Sequence, residues 1–188
     1  MNEINTNLKF KRQLLDGDTL KRTMMRLSYE IVEKNSDLSN IVLVGIKRRG
    51  IPLAEMIKDN IKKNTGFDVA NTTLDIKYYR DDLQKVDDNP QVNKEPLSVD
   101  INGKEVILVD DVLYTGRTVR AAIDAIFDNG RPSKVSLLVL IDRGHRELPI
   151  RADYVGKNIP TSLNEVIAVN IDSIDGKTCV DILEKTND

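Results

Sequence analysis

The sequence is poor in the residues that build covalent staples and metal cages. A single cysteine, Cys179, cannot pair within the chain, and with one histidine, His145, no Cys/His zinc cage can form in one copy. Charge of neither sign dominates: 28 Lys and Arg against 30 Asp and Glu leave a formal net charge of −2 and a pI near 5.6. That balance excludes a protein that holds nucleic acid by bulk charge and leaves room only for a local basic face. Long apolar runs are missing too, since the longest, Leu137 to Ile141, is far too short to span a bilayer. Met1 to Leu8 contain no basic stretch followed by an apolar one, so no secretion signal is expected and the expected compartment is the cytoplasm. There is no internal repeat or low-complexity tract. With 40% hydrophobic and 31% charged residues, the 188-residue chain is expected to fold as one soluble domain over 1–188.

The apolar periodicities mark alternating strands and helices. Leu20, Met24, Leu27 and Ile31 recur at helical spacing behind an Asp18-Thr19 cap, and the opposite face carries Lys21, Arg22 and Arg26. Ile41 to Val44 reads as a buried strand closed by Gly45. A helix then starts near Pro52, with Leu53, Met56, Ile57 and Ile61 as its apolar stripe. Thr72 to Tyr79 alternates as a strand, and Arg80 to Gly103 is polar and aperiodic, which predicts a lid or a disordered excursion. Glu105 to Val109 and Val135 to Ile141 read as strands flanking a helix at Arg117–Asn129, whose inward residues are Val119, Ala122, Ile123, Ile126 and Phe127. Gly130 is expected as its left-handed cap. Beyond Asp142 the pattern breaks into turns, with one further strand at Val166 to Ile171. The sum is an α/β fold with a mostly parallel sheet flanked by helices, whose ligands gather at the carboxyl ends of the strands, near Gly45, Asp110 and Asp142.

One segment carries more chemistry than the rest. Val106 to Thr118 runs from a buried strand into Asp110 and Asp111, then through Thr115-Gly116-Arg117-Thr118 into a helix. A turn at a helix N-terminus aims backbone N–H groups and the positive dipole end at one point, and Gly116 permits close approach, so a phosphate monoester suits it. Two carboxylates beside that site call for something neutral or cationic, such as ribose hydroxyls or magnesium on a polyphosphate. Capping alone needs one acid and leaves the turn unexplained. A second strand-to-helix turn, Gly45-Ile-Lys-Arg-Arg-Gly50, begins like a Walker A loop but has Ile51 and Pro52 where Lys and Ser/Thr are required. Its Lys47, Arg48 and Arg49 suit a pyrophosphate or a solvated charge run. No Gly-x-Gly-x-x-Gly exists, and no Ser/His/Asp arrangement is visible.

The Val106–Thr118 segment resembles the phosphoribosyl-pyrophosphate (PRPP) signature of type I phosphoribosyltransferases. Val44–Gly50, Tyr79–Leu83, Asp110–Arg120 and Ile141–Thr161 together resemble the PyrR family, bifunctional pyrimidine-operon attenuators with uracil phosphoribosyltransferase activity. The resemblance covers nearly the whole chain. It implies the type I phosphoribosyltransferase fold, with a small C-terminal hood after residue 142 and a flexible lid loop over about 80–103. It also implies conversion of uracil and PRPP to UMP and pyrophosphate with Mg²⁺ bound mainly through PRPP or pyrophosphate. The regulatory act it implies is binding of a pyrimidine-operon leader-mRNA stem-loop under control of UMP or UTP, by a homodimer or higher homo-oligomer.

On the same resemblance, Asp110 and Asp111 would hold the ribose hydroxyls and stabilise the developing cation. Thr115, Gly116, Arg117 and Thr118 would cradle the 5′-phosphate, Val112, Leu113 and Tyr114 would also bind substrate, Arg48 and Arg49 would hold pyrophosphate, and Arg80 would arrive with the lid. Purine-specific members have an acid at the position of Tyr114, so tyrosine there speaks for a pyrimidine. Arg143, Tyr154 and Val155 resemble the base pocket, with Tyr154 either stacking on the base or serving as a core aromatic. Lys21, Arg22, Arg26, His145, Arg146, Arg151 and Lys157 resemble the RNA-contacting positions. Met25, Tyr29 and Arg48 depart from the Thr, His and Thr of the RNA-binding pattern. Two readings follow: an RNA-binding regulator, or a uracil salvage enzyme with weak or lost RNA binding.

Overall fold

The computed structural model describes residues 7–76 and 96–186. The chain order is β1 (Asn7–Leu15), α1 (Gly17–Lys34), a 3₁₀ turn (Leu38–Asn40), β2 (Ile41–Ile46), α2 (Gly50–Thr65), β3 (Ala70–Leu74) and β4 (Glu105–Leu113). There follow α3 (Arg117–Asn129), β5 (Lys134–Asp142), β6 (Tyr154–Asn158), β7 (Glu165–Asn170), α4 (Asp172–Asp175) and β8 (Cys179–Thr186). Among the described residues the strands form two sheets. The larger is parallel in the order β3-β2-β4-β5-β6; the smaller is antiparallel in the order β1-β8-β7.

Strand alternation divides the core into two layers. Ile41, Leu43, Ile107, Val109, Leu138 and Leu140 meet α1, α2 and the inner side of the small sheet. Val42, Val44, Val106, Leu108, Leu137 and Val139 meet α3. Strands buried on both faces explain the unbroken apolar runs in the sequence. No helix among the described residues is long and apolar enough to cross a membrane.

Several expectations are corrected. The α1 cap is Asp16, whose carboxylate accepts the Thr19 N–H at 2.7 Å, two residues earlier than Asp18. Phe127 is 43% exposed, because the stripe that meets the sheet ends at Ile126. Gly130 is extended (φ 171°, ψ −167°) rather than left-handed. β4 continues through both acids to Leu113 instead of ending before them. The small sheet is completed by β1 from the N-terminal end of the chain, so the cap is not built from residues after 142 alone. Residues 77–79 of the expected strand Thr72–Tyr79 and 80–95 of the expected lid lie outside the described residues. Its end is core: Ile101 is buried, Leu97 and Val99 pack against the α3 layer, and Ser98 hydrogen-bonds Thr72.

The register sets the site. In the β2–β4 pairing Gly45 lies opposite Val109 and Val44 opposite Leu108, so the loop after β2 and the acids at the end of β4 share one edge. Gly50, the first residue of α2, approaches β4 so closely that a Cβ there would sit 2.2 Å from the Val109 carbonyl oxygen. Gly50→Ala is therefore expected to destabilise the fold by about 3 kcal/mol, the upper range for overpacking. Differential scanning calorimetry should show a midpoint lowered by roughly 6–12 °C for a domain of this size.

Candidate active site

Two strand-to-helix turns meet at the carboxyl edge of the large sheet. The first leaves β4. Alternation sends Asp110 toward the α3 side and Asp111 toward α2. Asp110 is 7% exposed, and its Oδ1 accepts the Asp111 N–H at 2.9 Å. Asp111 Oδ1 accepts the Val112 N–H at 2.8 Å. Burial pushes the Asp111 carboxyl above the ordinary aspartate range, and the bonds from Val112 and Asp110 and the nearby Arg49 guanidinium pull it back.

Beyond the acids the chain turns through Tyr114, Thr115 and Gly116 into α3. Gly116 takes φ 97°, a left-handed conformation that a side chain disfavours, and no side chain caps the helix it begins. Val112 to Val119 line a cavity of about 250 Å³. The loop after β5 supports this turn from outside. The Glu147 and Leu148 N–H groups donate to the Thr115 carbonyl at 3.0 and 3.2 Å, and Arg117 pairs with Glu147 at 2.8 Å.

The second turn, Lys47 to Arg49, leaves β2; its Lys47–Arg48 peptide is cis. Lys47 pairs with Asp75 at 3.2 Å. Arg48 is exposed. Arg49 donates through Nε at 3.2 Å and Nη2 at 2.9 Å to the two carboxylate oxygens of Asp175.

The remaining sequence-predicted residues scatter. Arg80 lies outside the described residues. Arg143 is 6% exposed and donates to Thr161 Oγ1 and to the Ser162 and Glu165 carbonyls; its guanidinium stacks 4.1 Å from the Tyr114 ring centre. It ties Tyr114 to Glu165 at the start of β7 and to Thr161 and Ser162 before it. Tyr154 is corrected to a core aromatic: it opens β6 opposite Leu138, is 3% exposed, receives a hydrogen bond from Asn35 on its hydroxyl, and lies under the Lys34 ammonium. The Val155 carbonyl is likewise taken, by Arg26 at 2.9 Å. Because β6 is the fifth parallel strand, it reaches the site edge at its far end, where the Ile159 N–H bonds the Asp142 carbonyl. Counting Tyr154–Asn158 as a strand would have pointed there from sequence.

The basic residues fall into two groups. Lys21 and Arg22 are exposed on α1, and Arg26 joins that helix to Val155 and Gly156, next to exposed Lys157. His145 and Arg151 are exposed on the loop beside the phosphate turn. Arg146 is half-buried, and its guanidinium donates to the carbonyls of Leu113, Tyr114, Gly144 and Ile150 and to the Asp142 carboxylate. Asp175 was missed by sequence reasoning, since no spacing rule links it to Arg49.

A carboxylate pair, a helix-capped turn and a cationic loop on one edge suit a phosphorylated sugar. Comparisons with known proteins agree. A phosphoribosyl transferase domain model matches residues 11–173. "Bifunctional protein PyrR" of Clostridium perfringens is 57% identical over 177 residues, 94% of this chain and 99% of that protein. The Clostridium acetobutylicum protein of that name is 54% identical over the same shares. In fold, the chain resembles a hypoxanthine-guanine phosphoribosyltransferase of Bacillus anthracis (TM-score 0.70, 21% identity, 94% of this chain and 99% of that one) and the hypoxanthine phosphoribosyltransferase of Trypanosoma cruzi (TM-score 0.68, 17% identity, 94% and 98%). The chain belongs to the PyrR family of phosphoribosyltransferases.

Proposed function

We propose that the chain transfers the phosphoribosyl group of PRPP to uracil, giving UMP and pyrophosphate, and that the nucleotide-bound form recognises a leader-mRNA stem-loop of pyrimidine genes. The observation that carries the transferase half is the edge shared by Asp110, Asp111 and the Gly116 turn with the Arg49 loop. As pyrophosphate leaves, positive charge develops at the ribose C1, and fixed carboxylates in a site short of water stabilise it without a nucleophile. Asp110 and Asp111 face the ribose; Thr115 to Thr118 cradle the 5′-phosphate through the N-terminus of α3; Arg48 and Arg49 receive the pyrophosphate. Tyr114, pinned by Arg143, offers no acid to a purine nitrogen, which favours the pyrimidine.

Magnesium fits this site as an ion carried by the substrate. The described residues hold no cluster of three acidic, His or Cys ligands, while Asp110 and Asp111 supply hard oxygen donors beside the diphosphate position. When bound, it would neutralise the diphosphate; Asp111 and Asp110 are the residues that would hold it. The compartment is the cytoplasm, and the working unit a homodimer or larger homo-oligomer.

The regulatory half rests on the relatives' family and on the exposed cations. Met25 and Tyr29 are 45% and 52% exposed on α1, beside Arg22 and Arg26, so the departures from the family's Thr and His lie on the face that would meet RNA. That observation supports the second reading, a uracil salvage enzyme with weak or lost RNA binding. Stem-loop recognition needs contacts to unstacked bases besides phosphate neutralisation.

Asp110→Asn with Asp111→Asn should lower uracil transfer roughly 10³-fold while circular dichroism stays unchanged, because the pair stabilises charge rather than the core. The wild-type kcat/KM profile, which reports the free enzyme, should fall on its acid side at a pH above ordinary aspartate titration, since the raised Asp111 pKa lets the carboxylate protonate sooner as pH drops. Near-normal turnover of the double variant would refute the assigned roles. For RNA, Met25→Thr with Arg48→Thr should sharpen the preference for a leader stem-loop over a scrambled hairpin in a filter-binding titration. An unchanged preference would show that these positions do not set selectivity.

A further inference from the structure

The guanidinium of Arg49 is not free to swing. Nε and Nη2 meet the two oxygens of Asp175 at 3.2 and 2.9 Å, a two-point fork that uses one edge of the group and leaves Nη1 unspent on Asp175. Asp175 is itself fixed. Its Oδ2 also accepts the Ile171 N–H at 2.9 Å, and its own N–H returns a bond to the Ile171 carbonyl at 2.7 Å. The turn beneath is closed by Gly176, whose N–H bonds the Asp172 carbonyl, and by Thr178, whose hydroxyl receives the Asp172 N–H. This turn joins β7 to β8, so it is carried by the small sheet and not by the strands that bear the acids. The same turn meets this loop a second time, where Lys47, Arg48 and Ile51 share a hollow of about 330 Å³ with Ser173 and Ile174.

Arginine held this way differs from arginine in solvent. A loose side chain of this length loses rotamer freedom when it captures a ligand, and the fork removes much of that cost in advance. The ion pair also keeps the Arg49 charge close to Asp111, where it opposes the effect of burial on that carboxyl. The anion-attracting charge of the loop is not cancelled by the pairing, since Arg48 beside it is exposed.

We infer that Asp175 is a positioning residue for PRPP: from the small sheet it aims Arg49 so that its free donors meet the diphosphate. This rests on the transferase reading above. The antiparallel sheet then has a part in the reaction beyond covering the core.

The test is steady-state uracil transfer with PRPP varied, on the full chain. Asp175→Asn should raise KM for PRPP about tenfold, with kcat changed less than threefold and KM for uracil unchanged, because one charge-assisted fork is lost. Arg49→Lys, which keeps the charge and loses the fork, should raise KM for PRPP to a similar degree. The double variant should be no worse than Arg49→Lys alone, as expected for two residues acting through one contact. A purely structural role would lower the active fraction, and so kcat, without this split. Should Asp175→Asn fail to fold, Asp175→Glu keeps the charge, displaces the fork and should show the same KM defect. Unchanged KM, a lower KM, or additive effects in the double variant would overturn the inference. Absence of transfer in the wild-type chain would instead overturn the transferase reading.

Discussion

Putting two adjacent carboxyl groups at the end of a strand buried on both faces is the constraint from which the rest of this architecture follows. Neither Asp110 nor Asp111 can stay charged there without partners, because desolvation of a carboxylate is expensive. The chain meets that demand from several directions. The backbone supplies the Asp111 and Val112 N–H groups. The α3 N-terminus brings the positive end of its dipole within the same turn. The loop after β2 contributes Arg49, and that loop reaches the acids only because Gly50 lets α2 press against β4 at the Val109 carbonyl. What remains unbalanced at this edge is balanced by the reaction itself, whose transition state carries positive charge.

The small sheet looks peripheral in topology but not in contacts. It holds Arg143 through Thr161, Ser162 and Glu165, and Arg143 in turn holds Tyr114 at the entrance to the phosphate turn. It also holds Arg49 through Asp175. Arg146 and Glu147 bind the other side of the turn to the loop that carries His145 and Arg151. The exposed cations His145 and Arg151 are thereby tied to the turn that follows the acids by side-chain bonds and an ion pair.

Much of this was legible in the sequence. Continuous apolar runs at Ile41–Val44, Glu105–Val109 and Val135–Ile141, separated by helical stripes, announce a parallel sheet. The acids followed by Thr-Gly-Arg-Thr announce the turn at its edge. The failures have physical causes. Tyr154 is a candidate for the base by family resemblance and for the core by its residue type, and the core reading holds because the strand it opens runs toward the site and leaves it behind, packed on α1. Arg146 is an RNA-contacting candidate by family resemblance, whereas five acceptors on the ends of β4 and β5 and the β5–β6 loop engage its guanidinium. Asp175 carried no signal, since its partner is 126 positions away and only the pairing of β7 with β8 delivers it. The order of α1 and its cap was readable to within two residues, and Asp16 wins because its carboxylate reaches the Thr19 N–H.

The proposed role of this edge depends most directly on where the 5′-phosphate binds. Backbone amide chemical shifts of the labelled protein, titrated with UMP and separately with uridine, isolate that group. That role predicts that UMP, and not uridine, moves the amides of Thr115 to Thr118 by the largest amounts, downfield as expected for N–H groups donating to an anion. Equal shifts with the two ligands, or a phosphate-dependent maximum at Lys47 to Gly50 with the α3 turn unmoved, would contradict it.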